Sequence, residues 1–373
     1  MRLFDVYIPT RTDSTLEVRI RSDLDGPVDL RLNDRATTLA GADISYRQRH
    51  FYRHRFVGLS PGTTYHLSVT RIEDDAGRTI ATETLPAPAG TTKLRIGVLS
   101  DIHLPPGAAD IEQYRYGARR LTGLARELAT RYIRRLERLG ADVIVFPGDS
   151  VDPCTDQTLA VFKEVLKEVS IPCLPIIGNH EPWSSNGEAR FYAALGLPKQ
   201  GRYAVRRPGV RLLMLATPDQ NALHEGSAQL RWLEAQLKAA GDDEDVVLCT
   251  HFALYLHPCV QGHLNDGYQL LNNHRGINRL LEGHPKVRLV ITGHKNVPSM
   301  LVRGGVIHTL SPQLIQAPCG YDMFTLFEGG VSRTTYEIDE QHYAEVARDA
   351  YGDDYASRYG DEMGRHFSVR YPA

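Results

Sequence analysis

No run in this sequence is apolar for long enough to span a bilayer, so no transmembrane helix is expected. An excess of one charge is missing too: 43 Lys and Arg stand against 45 Asp and Glu, a net charge of −2. That balance offers no electrostatic argument for a nucleic-acid or membrane partner. Cysteine is scarce. The five present, Cys154, Cys173, Cys249, Cys259 and Cys319, contain no C-x-x-C pair, so a thiolate zinc site is not expected and reduced core thiols are. A bridge from Cys259 to Cys319 stays open. The amino terminus, from Met1 to Pro9, places Asp5 inside a short alternating stretch and lacks the basic-then-apolar form of a secretory signal, so a cytoplasmic protein is expected. Internal repeats and low-complexity segments are absent.

With 373 residues the chain exceeds what one core usually organises, and its character changes along its length. Over residues 1–88 short segments alternate apolar and polar, as in Leu16–Ile20, Val28–Leu32, His54–Leu59 and Tyr65–Val69, the pattern of a β-sandwich with one wet face per sheet. The stretch Leu59-Ser60-Pro61-Gly62-Thr63-Thr64-Tyr65 resembles the tyrosine corner of fibronectin type III or immunoglobulin-like domains. A linker follows at Thr84–Gly90. Residues 93–330 then alternate strand and helix, which defines an α/β class. Helices are predicted from Arg115 to Leu139, from Thr158 to Val169, from Ser227 to Ala240 with Ser227 as cap, and from Ile277 to Leu281. Residues 331–373 read as a helical tail.

Five motifs end five of the short apolar runs: Asp101-Ile102-His103, Gly148-Asp149, Gly178-Asn179-His180-Glu181, His251, and Gly293-His294-Lys295-Asn296. In α/β folds ligands bind beyond the carboxyl ends of the strands, so motifs distant in sequence can converge on one crevice. Together they offer carboxylate, imidazole and amide donors, the set a centre of two metal ions needs in order to cleave a phosphoester.

The ordered set resembles the calcineurin-like metallophosphoesterase family, whose pattern is D-x-H, G-D, G-N-H-D/E, a lone H, then G-H-x-H. The resemblance covers roughly residues 93–312, and its likeness is to the bacterial phosphodiesterase branch. It implies mixed β-sheets flanked by helices, an αββα sandwich, here preceded by an all-β domain. It further implies two metal ions (Mn, Fe or Zn), with Asp149 bridging them, Asp101 and His103 on the first, and Asn179, His251 and His294 on the second. His180 would stay off the metals and protonate the leaving oxygen, with Glu181 orienting its ring. Hydrolysis would proceed by in-line attack of a metal-bridging hydroxide on a small organophosphate, a diester in the first instance. A phosphomonoesterase is the alternative, and so is a degenerate member serving as a binding scaffold.

The last motif departs from the pattern, because Asn296 stands where the family has its final histidine. An amide oxygen binds a borderline metal less tightly than imidazole, so the first site is expected to be weaker and tilted toward manganese or iron. Purple acid phosphatases carry a glycine where His103 stands and a tyrosine where Asp152 stands, which sets this chain apart from them. Pocket walls are expected from Tyr114, Tyr116, Trp183, Tyr255, His257, Asn265, Tyr268, Asn272, Asn273, Gln313 and Tyr321, a neutral set suited to a small polar organophosphate. His257 could touch the phosphate, and His308 could replace the missing ligand. The arginines of the segment from Arg115 read as a solvated helix face, with no nucleic acid implied. Homo-oligomerisation stays open.

Overall fold

The computed structural model describes residues 4–111, 113–115, 118–258, 270–349, 360 and 362–371. The first eight strands are β1 (Phe4–Arg11), β2 (Thr15–Ser22), β3 (Val28–Leu32), β4 (Arg35–Leu39), β5 (Ile44–Tyr46), β6 (Arg49–Val57), β7 (Thr64–Arg71) and β8 (Ala76–Glu83). They form two antiparallel sheets of order β1-β2-β6-β5 and β4-β3-β7-β8. Strict alternation along β3 buries Val28, Leu30 and Leu32 and exposes Asp29 and Arg31, so each sheet turns one face to a shared core with Val18, Ile20, Tyr52, Leu67 and Val69. The Tyr65 hydroxyl accepts a hydrogen bond of 2.9 Å from the Ser60 backbone N–H, tying the turn before β7 to its strand.

The next strands are β9 (Thr92–Val98), β10 (Gln113–Arg115), β11 (Ala118–Arg120), β12 (Val143–Phe146), β13 (Cys173–Pro175), β14 (Arg202–Arg207) and β15 (Val210–Leu215). After them come β16 (Asp245–Cys249), β17 (Val287–Thr292), β18 (Ser299–Arg303), β19 (Val306–Leu310), β20 (Gly320–Phe327), β21 (Gly330–Glu337) and β22 (His366–Arg370). Two six-stranded mixed sheets result, β13-β12-β9-β20-β21-β22 and β14-β15-β16-β17-β19-β18. Helices α1 (Ala125–Arg138), α2 (Asp156–Leu166), α3 (Gly187–Leu195), α4 (Ala228–Lys238) and α5 (His274–Glu282) accompany them.

Strand β16 shows why the layers stack as they do. All five of its residues are buried; Val247 and Cys249 share a core with Ile96, Val98 and Ile144 of the opposite sheet, while Val246 and Leu248 meet Leu233 and Leu237 of α4 and Ile277 and Leu281 of α5. A strand covered on both faces reads as a continuous apolar run, the signal seen before each motif. On the other sheet, α1 contributes Leu128, Tyr132, Ile133 and Leu136, each worth about 1.5–3 kcal/mol of burial. No helix among the described residues is long and apolar enough to cross a membrane.

The helix expected from Arg115 starts only at Ala125, because Ala118–Arg120 pair with Gln113–Arg115 as a hairpin and a short 3-10 turn, Thr122–Leu124, intervenes. The helical tail also needs correction. After β21 and helix α6 (Gln341–Asp349), the chain passes through the short α7 (Glu362–Arg365) and ends in β22, antiparallel to β21. Phe367 is buried and paired opposite Arg333, and that long-range pairing outweighs the local helical propensity. The N-terminal sheet packs against this end: the buried Arg19 guanidinium joins Glu17 at 2.8 Å to Glu337 of β21 at 2.9 Å. Cys154, Cys173, Cys249 and Cys319 are free thiols, and Cys259 lies outside the described residues.

Candidate metal centre

Strands β9, β12 and β13 run parallel in one sheet and β16 and β17 run parallel in the other, so their carboxyl ends open at one edge of the sandwich. The loops that follow are stitched together by backbone bonds: His103 N–H to Asp149 O at 2.9 Å, Leu104 N–H to Ser150 O at 3.0 Å, and Gly293 N–H to His251 O at 3.2 Å. Asp101, His103, Asp149, His294 and Asn296 all take left-handed backbone conformations, with φ between 47° and 65°. Such strain persists only where surrounding structure imposes it, and it clusters at functional sites.

Two glycines of the motifs are required by close approach. A Cβ on Gly178 would stand 2.3 Å from Asp149 Oδ1, and one on Gly293 would stand 2.4 Å from Ser100 Oγ and 2.7 Å from Asp101 Oδ2. Glycine is the residue that lets these loops touch the carboxylates.

Asp149 lies at the centre. Its Oδ1 accepts the His180 backbone N–H at 2.9 Å, while Oδ2 lies 3.4 Å from His251 Nε2, 3.7 Å from His180 Nε2 and 3.8 Å from His103 Nε2. Asp101 Oδ2 accepts from the Ser100 hydroxyl and from the His294 backbone N–H. Asn179 Oδ1 sits 2.9 Å from His251 Nε2 and 3.0 Å from His294 Nδ1. Donor atoms of Asp101, His103 and Asp149 lie within 4.8 Å of one another, as do those of Asp149, His251 and His294.

The charges in this cluster call for cations. Burial pushes the Asp101 carboxyl up to about 6, with His251 opposing and Asp149 adding to the rise. Burial acts the same way on Asp149, but His251, His180 and His103 outweigh it and hold that carboxyl well below its usual range. His251 donates its Nδ1–H to Pro147 O at 2.8 Å, which turns Nε2 toward two acceptors, Asn179 Oδ1 and Asp149 Oδ2. Against the cost of burial, Asp149 raises this imidazole to about 9, a sign that its surroundings favour positive charge at this point. Burial and the charge of Arg120 push His103 the other way, to about 3, and both of its ring nitrogens are buried without a hydrogen-bond partner. Asn296 Oδ1 is likewise buried and unpartnered. Imidazole nitrogens and an amide oxygen without a hydrogen-bond partner, beside two carboxylates, fit divalent or trivalent cations.

Glu181 does not orient His180. Its fully buried carboxylate instead accepts four backbone N–H groups, from Ser150 at 2.7 Å, Gly178 at 2.8 Å, and Asp149 and Val151 at 3.3 Å. A carboxylate that clamps two loops has no lone pair to spare for a ring. Asp152 takes the expected place, its Oδ2 lying 3.0 Å from His180 Nδ1 and 3.7 Å from His103 Nδ1. Burial opposes ionisation of Asp152, yet His103 and His180 hold its carboxyl well below the usual range. The signal in the sequence was an acid three residues after Asp149, in the same loop.

Of the expected wall residues, Trp183 lies beside His180, with their ring centroids 4.0 Å apart. Tyr321 is in the core between Tyr132 and Tyr336, and Asn272 and Asn273 bond to Asn221 and Leu223. His257 is buried against Ser299 Oγ at 2.9 Å, and His308 is buried beside Tyr255; neither belongs to a donor cluster among the described residues. Tyr116, Asn265 and Tyr268 lie outside the described residues, as does the side chain of Tyr114.

An αββα sandwich whose strand ends gather two carboxylates, three imidazoles and an amide around one point has the construction of a dimetal hydrolase. Residues 94–298 match the calcineurin-like phosphoesterases, and the chain belongs to that family. Over 185 residues it is 30% identical to the glycerophosphodiester phosphodiesterase GpdQ of Enterobacter lignolyticus (strain SCF1), a match covering 48% of this chain and 64% of that protein. The chain thus spans less than two thirds of that relative's length. A dimetal phosphatase from Danio rerio shares the fold, with a TM-score of 0.53 and 18% identity over 65% of this chain and 96% of its own.

Proposed function

We propose that the chain is a metal-dependent phosphodiesterase acting on a small organophosphate. The observation that supports this reading is the meeting of Asp101, His103, Asp149, Asn179, His251 and His294 around one point, joined by the likeness to a phosphodiesterase. Asp149 would be shared by two ions, with Asp101, His103 and Asn296 holding one and Asn179, His251 and His294 the other. Bound there, the ions would supply a nucleophile at neutral pH and neutralise charge on the phosphoryl oxygens. Manganese or iron suits the oxygen-rich side with Asn296.

His180 turns its Nε2 toward Asp149 Oδ2 at 3.7 Å, and its Nδ1 is held by Asp152. In this reading His180 passes the Nε2 proton to the leaving oxygen while Asp152 fixes the ring. Glu181 contributes by locking the Gly148-Asp149 and Gly178-Asn179 loops together. We further read residues 1–88 as a fibronectin type III or immunoglobulin-like domain, 93–330 as the catalytic domain and 331–373 as an extension of its sheet. The paired four-stranded sheets and the bond from Ser60 to Tyr65 support the first of these.

Turnover of bis(p-nitrophenyl) phosphate and p-nitrophenyl phosphate, with metal analysis of the manganese-loaded protein, tests the proposal. Close to two metal ions per chain and faster cleavage of the diester are expected, with both lost in Asp149→Asn. Preference for the monoester would replace the diesterase reading, and a metal-free protein after loading would end the enzymatic one.

A further inference from the structure

Strand β15 ends in none of the motifs that carry donors, yet a residue just beyond it reaches the centre. Met214 of β15 lies opposite Cys249 of β16, and the same count along both chains brings Thr217 level with Phe252. Thr217 is fully buried. Its Oγ1 accepts two backbone N–H groups, from His251 at 3.0 Å and from Phe252 at 3.1 Å.

His251 is thereby held at three points besides Nε2. Its backbone N–H is fixed by Thr217, its carbonyl accepts the Gly293 N–H at 3.2 Å, and its Nδ1–H is bound by Pro147 O at 2.8 Å. Gly293 and Pro147 act through the main chain. Thr217 acts through a hydroxyl, which most side chains lack. Phe252 carries the same anchor further, since its ring centroid lies 4.3 Å from that of His294. One hydroxyl thus stands behind both imidazoles that meet Asn179 Oδ1.

We propose that Thr217 is a positioning residue for the ion assigned to Asn179, His251 and His294, seating His251 directly and His294 through Phe252. This rests on the two-metal reading above. Bonds from imidazole to a metal ion tolerate only about 0.2 Å of misplacement. An N–H buried without an acceptor is costly, so without the hydroxyl the turn at His251 and Phe252 shifts toward another partner, and the imidazole shifts with it.

The test is a titration of the full chain, stripped of metal, with manganese(II), the free ion being read by electron paramagnetic resonance. The dissociation constant that rises in His294→Ala belongs to the site that His251 shares. Thr217→Val keeps the shape of the side chain and removes the acceptor; it should raise that constant about tenfold to a hundredfold and leave any other within about threefold. Thr217→Ser restores the acceptor and should recover wild-type binding. If the Thr217→Val chain does not fold, Thr217→Ala is read in its place, because the space it opens admits a water to the two N–H groups without fixing the turn. A residue that only stabilises the fold would, when replaced, leave the constants unchanged or raise them all alike. Either result, or a Thr217→Ser chain as weak as Thr217→Val, overturns the proposal and leaves the two-metal reading standing. A wild type that takes up no manganese overturns that reading and this proposal with it.

Discussion

Replacing Glu181 with glutamine tests whether this residue is a clamp or part of the chemistry. The carboxylate accepts Ser150 and Val151 N–H on Oε1, and Asp149 and Gly178 N–H on Oε2. Glutamine keeps one acceptor oxygen and puts an amide NH2 opposite the other two donors, so two buried N–H groups lose their partner. Each such loss costs about 1–3 kcal/mol. Part of that is returned, because burial and the neighbouring Asp149 push the Glu181 carboxyl up to about 7 and the variant removes this unfavourable charge. A net destabilisation of about 3 kcal/mol results, a large share of the roughly 5–15 kcal/mol that holds a domain together. Urea unfolding followed by tryptophan fluorescence measures it, and Trp183, two residues from the clamp, reports on the loop itself. Metal content should fall as well, since Asp149 and Asn179 sit on the loops released. A Glu181→Gln protein within about 0.5 kcal/mol of the wild type, but with turnover reduced a hundredfold, would refute the clamp and return Glu181 to the chemistry.

The companion substitution, Asp152→Asn, should leave stability and metal content nearly intact and lower kcat by about a hundredfold or more, because the His180 ring loses the group that fixes it. Rates for an alkyl leaving group, which needs the proton, should fall further than rates for p-nitrophenolate. At the other end of the molecule, Arg19→Met removes the guanidinium that joins Glu17 to Glu337 in a buried interface, while Glu17 keeps its pairing with Arg55. It should cost about 3 kcal/mol in thermal or urea unfolding, the low end for breaking a buried ion pair, with little effect on turnover; a loss below about 1 kcal/mol would show that the interface does not depend on Arg19.

The motifs that meet at the candidate centre were legible in sequence because each couples an apolar strand with a donor at the strand end, and three of the five add a glycine where the loop must approach closely. Gly178 and Gly293 show the coupling at atomic scale, with no room for a Cβ beside Asp149 or Asp101. The roles of Glu181 and Asp152 were not legible. Both are acids within reach of His180, and only the direction of each side chain separates a loop clamp from a ring holder. Two elements were missed for a similar reason. The hairpin of β14 and β15 hides its alternation behind arginines, with buried Arg211 satisfied by Glu244 at 2.6 Å and by the end of α4. β22 depends on a partner strand about thirty residues away, and no local pattern reports that distance.

Asp101, Asp149 and Asn179 ride on one sheet, and His251 and His294 on the other. Ion affinity is therefore a property of how two slabs sit against each other, in the manner of a jaw. A shortened side chain deep between them, at Val247 or Ile144, can retune the grip without touching a donor. Loading with metal should in return pin the slabs and slow amide exchange far from the rim.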